Sequence, residues 1–149
     1  MDLDVLGQQR LLKIYTQICF CFPVTNESLY PTIVHILEKG LDRLSTSFPW
    51  VAGQVVNETS ADGPPTSKII SLEEKPRLVV FDCRTDPSAP TMDAFRQAKF
   101  PFSMLDESII APRRVFPGSC GEAALDSPVF SLHATYITDG LLLTFVGHH

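Results

Sequence analysis

The 149-residue sequence predicts a mixed α/β domain. Apolar residues recur at helical spacing over residues 28–47, β-prone runs occupy several short segments, and an Asp-Gly turn signal joins two of these runs near the C-terminus. The length and a hydrophobic content of 44% suit a domain that buries a core of its own. We therefore expect a single domain over residues 1–149.

The first part of the chain predicts one strand followed by one long helix. Residues 15–22 are rich in β-prone and aromatic side chains and stop at Pro23, which cannot continue a central strand. Residues 28–47 predict an amphipathic helix with Pro31 in its first turn. Its apolar positions are Ile33, Leu37, Leu41, Leu44 and Phe48. Gly40 costs this helix about 1 kcal/mol relative to alanine, so packing against a sheet must stabilise it.

The middle of the chain predicts short strands and a long irregular segment. The strands are expected at residues 50–56, 68–72 and 78–82. Residues 57–67 are loaded with Gly, Pro, Ser and Asp and predict a loop. Residues 83–127 are rich in proline and show no sustained period apart from a helical turn or two around 91–98, so we expect them to wrap the core.

The C-terminal segment predicts an antiparallel hairpin. Two β-prone runs, residues 129–137 and 141–146, are joined by Thr138-Asp139-Gly140. The second run leads directly into Gly147-His148-His149 with no polar cap or closing element, so the chain is expected to be cut at this point. The remnant of a purification tag is an alternative origin for the His pair.

Charge and hydropathy exclude several classes of function. The formal net charge is -5 and its signs are evenly spread, which argues against binding nucleic acid or an anionic membrane. No apolar run approaches the roughly 18 residues of a membrane span, and the N-terminus lacks the basic region of a secretion signal. We expect a cytoplasmic protein.

The cysteines and histidines do not form a metal-binding pattern. None of the four cysteines, at positions 19, 21, 83 and 120, belongs to a Cys-x-x-Cys pair, so they are expected to be buried reduced thiols. His35 and His133 are expected at the surface or satisfied in the core. His148 and His149 would point to opposite sides of an extended chain, so they are poor partners for one metal ion. We expect no metal site.

Several blocks of the sequence resemble a known enzyme family. Residues 48–55, Phe-Pro-Trp-Val-Ala-Gly-Gln-Val, follow the predicted helix as in the acyl-CoA-dependent acyltransferases of the BAHD superfamily. Gly147-His148-His149 resembles the opening of that family's His-x-x-x-Asp motif. Four further blocks, residues 14–18, 30–34, 86–91 and 106–113, are similar to the fungal trichothecene 3-O-acetyltransferases. The resemblance covers nearly the whole chain.

The resemblance implies a chloramphenicol-acetyltransferase-like mixed sheet flanked by helices, in the first domain of a two-domain enzyme with its active site in a tunnel between the domains. It also implies transfer of acetyl from acetyl-CoA, as co-substrate without a permanently bound cofactor, to a hydroxyl of a trichothecene-like metabolite, which would protect the fungus. His149 would be the general base and His148 its neighbour.

The family pattern places its Asp, its second domain and most CoA contacts beyond His149. The sequence is therefore expected to be a single incomplete N-terminal domain that needs the missing C-terminal domain of the same enzyme, and to be inactive alone. The alternative is a noncatalytic fragment that acts only by binding another chain.

Overall fold

The computed structural model describes residues 15–58, 66–71, 75–110 and 128–148. Its strands and helices follow the order β1 (Tyr15–Pro23), α1 (Tyr30–Ser47), β2 (Gly53–Glu58), β3 (Thr66–Ser71), β4 (Arg77–Asp82), α2 (Met92–Ala98), α3 (Glu107–Ile110), β5 (Phe130–Ile137) and β6 (Gly140–His148). Short 3₁₀ turns cover Glu27–Leu29, Pro49–Ala52 and Phe102–Met104. The predicted class, a mixed sheet flanked by helices, is confirmed.

Over the described residues, the main sheet has four strands in the order β1-β6-β5-β4. The β4–β5 pair is parallel, and the two pairs that involve β6 are antiparallel. A parallel pair needs a crossover connection, and α2 and α3 lie in the segment between β4 and β5. β2 and β3 form a separate antiparallel ribbon. A hydrogen bond from the Val129 N–H to the Gly53 carbonyl, at 2.9 Å, ties this ribbon to the start of β5.

The sheet buries apolar side chains on both faces because alternate residues of each strand point to opposite sides. On one face, Leu141 and Leu143 of β6 pack with Tyr30 and Leu41 of α1. The other face joins α2 and α3, and its cluster consists of Tyr15, Met92, Phe95, Ile110, Ile137, Leu142 and Val146. The strands therefore lie between two helical layers.

The predicted helix at 28–47 is confirmed, with α1 beginning at Tyr30. The first residues form the 3₁₀ turn Glu27–Leu29, whose N-terminus is capped by Asn26: its side-chain oxygen accepts the Ser28 N–H at 3.1 Å. Pro31 occupies the first turn of α1, where its missing N–H removes no helical hydrogen bond. Gly40 is exposed, and a Cβ added to it would meet none of the described atoms within 4 Å.

Two boundaries predicted from the sequence are wrong. Residues 50–52 belong to a 3₁₀ turn and not to a strand, because Pro49 starts a turn in which the Val51 N–H donates to the Phe48 carbonyl at 3.1 Å. The predicted loop at 57–67 is too long, since β2 runs to Glu58 and β3 begins at Thr66. Cross-strand pairing lengthens β2 at its end and β3 at its beginning. The added residues are polar, and composition alone assigned them to a loop. Residues 59–65 lie outside the described residues.

The segment after β4 contributes to the core and does not merely wrap it. Met92 and Phe95 of α2 are 0% and 1% exposed. The helix predicted around 91–98 is confirmed: Thr91 caps it by accepting the Ala94 N–H at 3.1 Å, and Lys99 ends it in a left-handed conformation with φ of 62°. The part of the predicted wrapping segment at 111–127 lies outside the described residues.

The predicted hairpin is confirmed, but its glycine has a different role from the one expected. β5 and β6 pair up to Ile137 and Gly140, so only Thr138 and Asp139 form the turn, and Asp139 takes the positive φ of 59°. Gly140 already belongs to β6. A Cβ there would clash with Met92 Cε, so the missing side chain lets α2 approach the sheet closely.

Candidate active site

His148 is the last residue of β6 and is held by both neighbouring strands. Its N–H donates to the Val129 carbonyl at 2.8 Å, and it is the register partner of Tyr15 on β1. Its ring lies edge-on to the Tyr15 ring, with the ring centroids 5.1 Å apart. Since Val129 also binds Gly53, backbone hydrogen bonds connect the block at 48–55 to the His pair.

His149, the predicted general base, lies outside the described residues. The strand that leads to it is regular: Gly147 pairs with Phe130 on one side and with Thr16 on the other. Within the described part of the chain, a Cβ at Gly147 would meet no atom closer than 4 Å. The side of β6 opposite His148 is therefore open at this residue.

A row of buried polar side chains lies on the same sheet face as His148. Its members, Ser131, His133, Thr135 and Thr144, are all 4% exposed or less. Ser131 Oγ lies 3.2 Å from His133 Nε2, and Thr135 Oγ1 donates to the Ile109 carbonyl at 2.9 Å. This row was not predicted from the sequence, although the alternation of Ser131, His133 and Thr135 along β5 is a period-two signal that could have indicated it.

The other two histidines do not join the candidate site. His133 is 1% exposed and stacks with the Phe81 ring at a centroid distance of 6.4 Å. Of the two locations predicted for it, the surface and the core, His133 takes the core. It pairs with Thr144, four residues before His148, or roughly 13 Å along the strand. His35 is exposed on α1, so of the two predicted locations it takes the surface.

The cysteines were predicted as buried thiols, but the three that the structure describes are only partly buried. Cys120 lies outside the described residues. Burial raises the pKa of Cys21 to about 11, with a smaller contribution from Cys19, and burial also raises the pKa of Cys83. Both thiols are therefore protonated near neutral pH and are poor nucleophiles. Over the four described stretches of the chain, no cluster of three His, Cys, Asp or Glu side chains could hold a metal ion.

A charged cluster braces the end of the sheet opposite His148. Arg84 donates from Nε and Nη2 to the Asp82 carboxylate at 2.8 and 2.6 Å, and from Nη1 to Glu27 Oε2 at 2.5 Å. Its guanidinium also lies over the Tyr30 ring, 4.8 Å from the centroid. The hydrogen bond from Arg84 lowers the pKa of Asp82 to about 2. Arg84 thus pairs with one carboxylate at the end of β4 and with another just before α1. Through these contacts the cluster joins the start of α1 to the end of β4.

The helices that the structure describes include none long and apolar enough to cross a membrane.

Comparison with known proteins relates the chain to fungal acetyltransferases. Over 148 residues it is 54% identical to the O-acetyltransferase dmxR13 of Cryptosporiopsis sp. (strain 8999), covering 99% of the chain and 32% of that relative. It is 51% identical over 152 residues to the trichothecene 3-O-acetyltransferase TRI101 of Fusarium sporotrichioides, covering 100% of the chain and 33% of the relative. The chain thus spans about a third of the length of these relatives.

Two solved structures with similar folds belong to the same group of acetyltransferases. The F. graminearum TRI101 complex with coenzyme A and deoxynivalenol superposes with a TM-score of 0.92 at 48% identity, and the F. sporotrichioides TRI101 complex with coenzyme A and T-2 with 0.89 at 51%. Each match covers 100% of this chain and 34% of the other. The family model described as "Trichothecene 3-O-acetyltransferase-like N-terminal domain" matches residues 14–149. The chain belongs to this family.

Proposed function

We propose that the chain provides the general base of an acetyl-CoA-dependent O-acetyltransferase, with His149 in that role. The observation that carries the proposal is the family match over residues 14–149, which includes the His pair. Relatives of known structure bind coenzyme A together with a trichothecene, the two kinds of molecule that such a reaction brings together.

The reaction needs a base because a hydroxyl of high pKa must lose its proton as it attacks. In the proposed step the His149 imidazole takes the hydroxyl proton, the hydroxyl oxygen forms a bond to the thioester carbonyl carbon, and the C–S bond breaks. The CoA thiolate then receives the proton, so no electrons are gained or lost. Imidazole titrates near neutral pH, and general-base assistance of this kind contributes typically 10² to 10⁴ in rate.

His148 would act as a packing residue next to the base. It is fixed by the Val129 carbonyl and by the edge of the Tyr15 ring. Successive side chains of a strand point to opposite faces, so only one of the two histidines can face a shared cavity. Gly147 has open space on the face opposite His148, and in an extended strand His149 would point to the same face as Gly147. The open space therefore supports His149 as the histidine that faces the cavity.

The proposed acceptor is a hydroxyl of a trichothecene-like metabolite, and the proposed role is protection of the producing fungus in the cytoplasm. The names of the relatives support this acceptor class. The competing proposal, a noncatalytic chain that only binds another chain, is favoured by the three exposed apolar side chains on β1.

A fusion enzyme tests the proposal. Residues 14–149 would replace the matching third of F. sporotrichioides TRI101, and thiol release from acetyl-CoA would be measured with deoxynivalenol as acceptor. We expect turnover that falls by at least about 10² in His149→Ala and by much less in His148→Ala. A fusion that folds but shows no acetyl transfer, or one in which His148→Ala alone is inactive, would contradict the assignment.

A further inference from the structure

Two thiols lie close together on the face of β1 that packs against the α2 layer. Cys19 and Cys21 alternate along the strand, so their side chains point to the same side of the sheet. Both are partly buried and pack against the cluster that contains Leu142 and Val146 of β6. The two thiols also interact, because Cys19 contributes to the raised pKa of Cys21. We call Cys19 and Cys21 the β1 thiol pair.

The spacing of the β1 thiol pair favours a bridging atom over a direct disulfide. Alternate residues of a strand are roughly 6.4–6.8 Å apart at Cα. Disulfides most often join residues whose Cα atoms are roughly 5.5–6 Å apart, so this spacing lies at the upper limit of their range and strains the bond. An atom bound between the two sulfurs lengthens the bridge by one bond and relieves that strain. The pair is therefore arranged to chelate a thiophilic atom.

The surroundings of the pair decide which thiophilic atom suits it. In the part of the chain that the structure describes, no cluster of three His, Cys, Asp or Glu side chains could hold a metal ion, whereas a structural zinc ion takes four ligands. A monovalent copper ion with two thiolates would place a net negative charge against an apolar cluster, which is unfavourable. Trivalent arsenic forms a neutral product with two thiols and keeps a third substituent. The charge of the complex therefore favours arsenic.

A buried hydroxyl lies near the place of that third substituent. Thr144 is the register partner of Cys19 on β6, so both lie on the same face, and directly opposite Cβ atoms are about 4.5–5.5 Å apart. Thr144 is 0% exposed, and its Oγ1 has no hydrogen-bond partner among the described residues. A buried hydroxyl without a partner is unfavourable, and a hydroxyl on the bound ligand would remove that cost.

We propose that the β1 thiol pair binds trivalent arsenic from arsenous acid, with Thr144 as the hydrogen-bond partner of the hydroxyl that stays on arsenic. Two As–S bonds form and two As–O bonds break. Each thiol proton leaves with one hydroxyl group as water, so no electrons are gained or lost. The site is separate from the His pair, because Thr144 precedes His148 by four residues, or roughly 13 Å along the strand. Binding here does not require acetyl transfer.

Calorimetric titration of the reduced 149-residue chain with arsenous acid and with phenylarsine oxide tests the site. Cys19→Ser and Cys21→Ser should each weaken the binding of both compounds by at least about 10²-fold, since one thiol cannot chelate. Cys83→Ser removes a thiol that packs against the same cluster, and as the matched control it should change binding by less than about twofold. Thr144→Val should weaken arsenous acid roughly three- to tenfold and leave phenylarsine oxide unchanged, because phenylarsine oxide keeps no hydroxyl once two sulfurs are bound.

Protection from iodoacetamide gives a second readout if a serine variant does not fold. Arsenous acid should slow the alkylation of Cys19 and Cys21, followed by peptide mass spectrometry, and leave that of Cys83 unchanged. Equal binding by the wild type and Cys19→Ser would overturn the proposal, and loss of binding in Cys120→Ser but not in Cys21→Ser would overturn it in favour of another thiol. A complex of two chains with one arsenic atom would also overturn it. An unchanged affinity for arsenous acid in Thr144→Val would overturn the hydroxyl contact.

Discussion

Gly53 offers a sharp test of the packing between the β2–β3 ribbon and the turn before it. In Gly53→Ala, the new Cβ would lie 2.6 Å from Ile69 Cγ2 and 2.6 Å from the Ile70 carbonyl oxygen, with the Trp50 carbonyl at 3.1 Å. Contacts this short force atoms apart, and here two of the three are backbone oxygens. β2 is held by its register with β3, so the backbone cannot move without loss of ladder hydrogen bonds.

The expected cost lies at the upper end of the range for overpacked sites, about 3 kcal/mol. For a chain of this length that corresponds to a decrease in Tm of roughly 6–12 °C. The measurement is urea and thermal unfolding of the 149-residue chain followed by far-UV circular dichroism. Gly147→Ala is the matched control, because it is also a strand glycine but its Cβ would meet nothing within 4 Å.

A double-mutant cycle with Ile69→Ala identifies the contact. Removing Ile69 Cγ2 relieves one of the two shortest contacts, so the double variant should be more stable than the sum of the single effects predicts. If Gly53→Ala unfolds within about 0.5 kcal/mol of the wild type, or if Gly147→Ala costs as much, the close approach of β2 and β3 at this position is refuted.

Three further predictions concern the helix and the titrating groups. Gly40→Ala should raise the unfolding free energy by about 1 kcal/mol, because the position is exposed, helical and sterically open, and an unchanged urea midpoint would contradict this. The pKa of Asp82 is lowered to about 2, so its stabilising effect is present above its ordinary pKa of 3.8 and disappears as the pH falls through 2. The Tm difference between wild type and Asp82→Asn should accordingly be largest near neutral pH and vanish towards pH 2; a constant difference would exclude the Arg84 pair as its cause. The pKa of Cys21 is raised from 9.0 to about 11, so stability is complete below pH 9 and decreases as the pH rises through 11. Cys21→Ser should remove that alkaline loss, and identical Tm profiles from pH 8 to 11 would count against it.

Elements with a strong local period could be predicted from the sequence. The apolar positions of α1 repeat over 18 residues, and the β5–β6 hairpin combines two β-prone runs with an Asp-Gly signal. Both were located to within two or three residues. Their type and position depend on neighbouring residues in the chain, so the local pattern predicts them.

Features set by distant partners could not be predicted in the same way. The partnership of β1 with β6, the depth of Met92 beneath the sheet and the turn at Pro49–Ala52 depend on which surfaces meet in three dimensions. The helix α2 was predicted, but its two turns are too short for a clear period, so its buried face could not be predicted. The family resemblance predicted His149. The alternation of Ser131, His133 and Thr135 indicates that they share one face of a strand, but the burial of that face depends on the pairing of β4, β5 and β6.

The pairing of β1 with β6 has a consequence for synthesis on the ribosome. Tyr15 and His148 are register partners although they are 133 residues apart in the chain. At 5–20 residues per second, β1 leaves the ribosome roughly 7–27 s before its partner strand does. During that interval its thiols and aromatic rings have no sheet to join, so nascent chains should depend on chaperones that shield short apolar segments, and slower translation should increase the fraction that aggregates.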